Sequence, residues 1–314
     1  MSSLGKIFLY LVAVIFAGAL AAPQAWHLIH VLPGDFLHGL AGQLQGMPFH
    51  RYLSRSLQVS ALVLLWPLLR SLRIRSLAEF GIVPNPRPWK DFGAGMVAGA
   101  FCLALLLPVL LLTGAFAPRE LWLSEIAHAL PRVFLTAMVV AVMEEFLFRG
   151  VLLGLLRQVT IAPVAVVISA AIFAAVHFLN LPPGSPSASS LNWLSGLAML
   201  GAIGGALPPF PILALAFLSL FAAGLILGWL TVRTGSLHAA IGLHAFWIFG
   251  QQLFNKAATY HVVPAGGLLP FIGPSQCNGM VPVGLLPLGA LLLAGFLASV
   301  LLRKRPFPSE DIWS

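Results

Sequence analysis

Charge is what this sequence has least of. Only 8% of its 314 residues are charged, 17 Lys and Arg against 9 Asp and Glu, where a soluble domain carries about 25%. So little charge cannot solvate a globule of this size, which excludes a soluble enzyme and, with so few polar residues, a disordered chain. There are two cysteines. Cys102 lies in an apolar run and Cys277 in a polar loop, too few for a disulfide scaffold and without the spacing of a metal motif. Equally absent are an H-E-x-x-H helix, a G-x-S-x-G turn near a His/Asp pair and a Gly-rich phosphate loop. Zinc-helix, serine and nucleotide chemistry therefore lack their usual signatures.

What is present is apolar: 59% of residues are hydrophobic and the mean hydropathy is +0.96. The solvent is lipid. The 30 Gly and 24 Pro do not contradict this, because neighbouring helices satisfy the backbone groups such residues free. About 20 apolar residues of helix cross a bilayer core. Spans are expected near 4–22, 56–72, 92–116, 129–148, 160–179, 212–232, 236–254 and 283–302. The fold class is thus all-α, a polytopic membrane helical bundle of about eight transmembrane helices. A Gly-rich stretch, 191–207, reads as re-entrant or interfacial, and the His-bearing segment 23–55 as interfacial. The chain divides into an N-terminal membrane region 1–128, a core 129–255 and a last region 256–314 with a loop, a final span and a basic tail.

The net charge of +8 raises nucleic acid as a partner, but the distribution argues against it. Basic residues cluster at the ends of apolar runs rather than along one face. Arg70, Arg73, Arg75, Arg87 and Lys90 mark one loop, Arg157 and Arg233 two others, and Arg303-Lys304-Arg305 the tail. By the positive-inside rule these are cytoplasmic. With eight spans all fall on one side, both termini with them; the expected host is a bacterial cytoplasmic membrane, with a eukaryotic endomembrane as the alternative.

An ionisable residue at membrane depth costs at least about 2.5–3.5 kcal/mol and is a functional hypothesis by default. Three runs contain them. Thr136 to Gly150 carries Glu144, Glu145 and Arg149; Ile168 to Asn180 carries His177, one turn after Phe173; Gly235 to Gln252 carries His238 and His244. Glu145 and Arg149 are four apart on one face, acid before base. Glu144 is rotated by about 100° and points away from Arg149. Each group alone has a plainer reading: a charge cluster capping a span, a packing histidine, or, for His238 near the surface, a snorkelling side chain. An acid and two imidazoles from three segments cost more than packing requires. A carboxylate drawn out of water is a usable general base. Glu144 could take a proton from a water held by His177 or His244, and the hydroxide could attack a peptide carbonyl. The same three residues with a water could also hold zinc, and Glu and His chains also serve proton relays and transporters.

Glu144-Glu145-x-x-x-Arg149, Phe173-x-x-x-His177 and a helix opened by Gly235-Ser236-Leu237 and carrying His244 resemble the three motifs of the CAAX protease and bacteriocin-processing (CPBP) family. These are intramembrane glutamic endopeptidases similar to the Rce1-type prenyl-protein protease and the bacterial Abi proteins. The resemblance covers about 129–255, including Gly224-x-x-x-Gly228 before the third motif. It implies Glu144 as the water-activating base, Glu145 and Arg149 as its supporting ion pair, His177 as a water ligand, His244 as part of the oxyanion site and Phe173 as a wall of the pocket. It implies no cofactor, with zinc left open. The partners it implies are membrane lipid and a peptide or protein substrate, lipidated or membrane-anchored in some relatives. The family commonly has Asn one turn after the last histidine; here that residue is Ile248. Trp247 is read as lying on a different face from His244, and Gln251, two turns on at about 10 Å, as too far to substitute.

Overall fold

The computed structural model describes residues 3–80, 82–120, 123–178, 191–260, 268–273 and 283–302. Cys277 and the basic tail 303–305 lie outside them. Its helices are α1 (Ser3–Val31), α2 (Phe36–Gln45), α3 (Phe49–Leu72), α4 (Pro88–Leu112), α5 (Leu123–Glu145), α6 (Leu153–Arg157), α7 (Ala162–His177), α8 (Ser195–Ala206), α9 (Phe210–Thr234), α10 (His238–Ala257) and α11 (Leu285–Leu301). Two short strands, β1 (Phe116–Pro118) and β2 (Ala258–Tyr260), pair antiparallel. The protein is an all-α membrane protein. Four helices, α1, α3, α4 and α9, are long and apolar enough to cross a bilayer, and α7 and α11 are apolar but shorter. Each of the eight expected spans overlaps one of these helices or α5 or α10.

The described residues form two compact units. The first comprises Met1–Arg75 and Val176–Leu207. Here α1 does not stop near residue 22 as expected, but runs through Pro23 to Val31. Proline removes the hydrogen bond to the carbonyl four residues back, which is that of Ala19. Gly196 of α8 packs directly on that carbonyl, so close that a side chain there would strike it. Only glycine at position 196 allows this approach. Most of the segment expected at the interface is accordingly helical: the end of α1, α2 and the start of α3. At 12 residues, α8 is about 18 Å long, too short to cross the hydrocarbon.

The second unit comprises Ser76–Ala175 and Pro208–Ser314, and α10 is its centre. Small residues let backbones close on it, as in membrane helix pairs generally. Gly95 of α4 lies on the Ala239 carbonyl, Gly242 of α10 on that of Phe92, and Gly99 against Phe246. On another side, Ala137 and Ala141 of α5 pack against Ala245 and Ile248. Gly224 and Gly228 of α9 take up Ala170 and Val166 of α7. The β1–β2 pairing links the segments that follow α4 and α10. Surrounded in this way, α10 can carry polar groups that no lipid touches.

A contrast within α4 tests this packing. A Cβ at Gly93 meets nothing within 4 Å, whereas at Gly95 it meets a backbone carbonyl that cannot step aside. Gly93→Ala is expected to keep or raise the melting temperature in detergent, since Ala gains up to about 1 kcal/mol of helix propensity. Gly95→Ala is expected to lower it by several degrees, and equal behaviour of the two would contradict the packing.

Candidate active site

The site is built where α5 ends. After Glu145 the helix widens into a π turn, Phe146–Leu152, a distortion often found at functional sites. Ser169 of α7 donates a hydrogen bond to the Phe148 carbonyl in this turn at 3.1 Å, fixing α7 against it. The turn delivers Arg149 into the interior, where 1% of its side chain is accessible.

Arg149 Nη1 lies 3.1 Å from Glu145 Oε1. Its guanidinium carbon sits 4.0 Å from the centroid of the Phe173 ring, a cation–π stack that compensates part of its lost hydration. Phe173 also meets Phe148 edge-on at 5.2 Å and His244 at 5.9 Å. It is therefore the surface against which Arg149 and His244 are both positioned.

His244 is buried and lies beside both glutamates. Its Nδ1 is 2.8 Å from Glu145 Oε1. An ionised carboxylate has no proton to give, so the imidazole is the donor. Its Nε2 faces Glu144 Oε2 at 3.8 Å, an ion-pair distance and not a hydrogen bond. The adjacent glutamates thus have different surroundings. Glu145 is sealed, with 0% of its side chain accessible, and held by a guanidinium and an imidazole. Glu144 keeps 16% accessible and is the less enclosed of the two.

The structure brings Glu144, Glu145, Arg149, Phe173 and His244 together in the second unit. His177 closes α7 and is buried, and it is grouped with the first unit. His238 does not snorkel. Its Nδ1 and backbone N–H both meet Ser236 Oγ, which also accepts from Asn85 Nδ2. Asn85 donates in turn to the buried Asp91 at 2.9 Å. The Gly235-Ser236-Leu237 opening is therefore structural: Gly235 takes a left-handed turn at φ 60° and Ser236 ties α10 to the loop before α4. Among the described residues no three His, Cys, Asp or Glu are placed to hold a metal ion.

Sequence reasoning missed the cavity beside His244. It measures about 30 Å³ and is lined by Phe173, Ser219, Leu220, Trp247 and Gln251 among others, room for a water or two. Trp247 and His244 share it, contrary to the expectation of different faces, because residues three apart on a helix are neighbours. Ile248 turns instead toward α5. Ser219 is the unusual member. Thr231 and Thr234 on the same helix give their hydroxyls to carbonyls four residues back, but the buried Ser219 hydroxyl has no partner. No sequence signal marks it, since a serine in an apolar helix normally bonds its own backbone.

Residues 126–250, which contain the whole cluster, match the family model of the type II CAAX prenyl endopeptidase Rce1-like proteins. The chain carries an Rce1-like domain. No curated protein and no solved structure matches the chain. The Rce1-like domain spans α5 through most of α10, so its limits coincide with the elements that build the site.

Proposed function

We propose that this protein is an intramembrane endopeptidase that hydrolyses a peptide bond with water activated by Glu144. The Rce1-like domain supports a protease of CAAX type, and the observation that carries the mechanism is the division of labour between the two glutamates. Glu145 is paired with Arg149 and hydrogen-bonded by His244, while Glu144 faces Nε2 of the same imidazole and is less enclosed. In the proposed reaction Glu144 takes a proton from water and the hydroxide oxygen bonds to the carbonyl carbon. His244, steadied by Glu145, donates to the resulting oxyanion. Collapse breaks the C–N bond as Glu144 returns its proton to the leaving amine. His177 is assigned to the water and Phe173 to the pocket by the resemblance already described.

The substrate class is a peptide or protein held in the membrane, lipidated or anchored, as the family description suggests. The remaining assignments belong to the same reading: eight spans, a catalytic core at 129–255, both termini in the cytoplasm and a bacterial cytoplasmic membrane. No cofactor is required. Reconstituted protein offered a panel of membrane-anchored peptides is expected to cleave equally well after treatment with 1,10-phenanthroline or EDTA. Loss of cleavage restored by zinc would assign the chemistry to a metal instead.

A further inference from the structure

A groove runs along the outside of the second unit between α9 and α11. Leu225 and Trp229 on one side face Leu292, Phe296 and Ser299 on the other, across an open trough of about 320 Å³. Gly295 forms its floor, with Ile226 lying against it. Phe296 is 68% exposed and Leu292 54%, so this surface faces hydrocarbon. One turn past the trough on α9 stands Arg233, its guanidinium carbon 5.0 Å from the centroid of the Trp229 ring. Its buried Nε–H has no acceptor, and no carboxylate pairs with it among the described residues.

The same Trp-x-x-x-Arg device closes α3, where Arg70 lies 4.2 Å over Trp66. Tryptophan and arginine gather where hydrocarbon meets headgroups, so Arg233 marks headgroup depth and the trough runs from it into the acyl region. We propose that the groove holds one acyl chain of an anionic phospholipid whose phosphate is bound by Arg233. Apolar fit alone cannot give selectivity here, because lipid tails are as apolar as the leucines they replace. The groove selects shape and the free cation selects charge, with a preference of about five-fold per positive residue near a headgroup. The inference does not rest on proteolysis.

The test is native mass spectrometry of the delipidated full-length protein, titrated with phosphatidylglycerol or phosphatidylcholine. Wild type is expected to bind the anionic lipid about five-fold more tightly. Arg233→Gln should equalise the two lipids, and Arg233→Lys should keep the preference. Ser299→Phe, which fills the trough, should weaken both, each variant first being shown to melt like wild type. Glycerol phosphate, which has the anion but no chain, should not compete. An undiminished preference in Arg233→Gln would overturn the proposal. So would unchanged binding in Ser299→Phe, or full competition by glycerol phosphate, which would reduce the site to an anion site.

Discussion

Arg149→Met is expected to lose most of the folded protein. The substitution keeps the volume but leaves the Glu145 carboxylate, with no accessible surface, paired only with His244. Removing one partner of a buried ion pair costs about 3–5 kcal/mol, because the other charge stays behind. That is a large share of the 5–15 kcal/mol that holds a domain together. Arg149→Lys should recover only part of the loss, since an ammonium cannot reproduce a planar guanidinium stacked on Phe173. Glu145→Gln with Arg149→Met should be more stable than Arg149→Met alone, because the stranded charge is gone. Melting temperatures in detergent measure all three, and additivity of the two single changes would contradict a coupled pair.

The second large effect falls on catalysis. Glu144→Gln changes no packing: the side chain keeps its shape and the Glu145–Arg149 pair is untouched. What it removes is the proposed proton acceptor. A positioned base contributes about 10²–10⁴ in rate, so a loss of that order is expected with the melting temperature within a degree of wild type. Glu145→Gln should differ in its effect on folding, because its carboxylate serves Arg149 and His244. It strands a guanidinium and should cost stability as well as rate.

The polar cluster was legible because lipid makes charge expensive. Once spans are located, Glu144, Glu145, Arg149 and His244 stand out against an apolar background, and helical spacing alone separates the two glutamates. Equally legible was Gly224-x-x-x-Gly228, since small residues at that interval seat a neighbouring helix, here α7 through Ala170 and Val166. Other features depend on partners remote in sequence. The close approach of Gly196 to the Ala19 carbonyl, one turn before Pro23, joins segments far apart in sequence, and nothing near Pro23 records it. The role of His238 depends on Ser236 and Asn85, which join only when the loop before α4 meets the start of α10. Ser219 reads like any serine in an apolar helix until its hydroxyl is seen to lack the backbone partner that Thr231 and Thr234 have. The π turn after Glu145 leaves no trace in composition, since Phe146–Leu152 is as compatible with an ordinary α-helix.

Whether Glu144, rather than its neighbour or a metal, is the base is read from single-turnover cleavage of a membrane-anchored peptide by liposome-reconstituted Glu144→Gln beside wild type, with folding verified by thermal melts. The variant is expected to fold like wild type and to cleave at least about 10²-fold more slowly. Cleavage at the wild-type rate by the folded variant would remove Glu144 as the base.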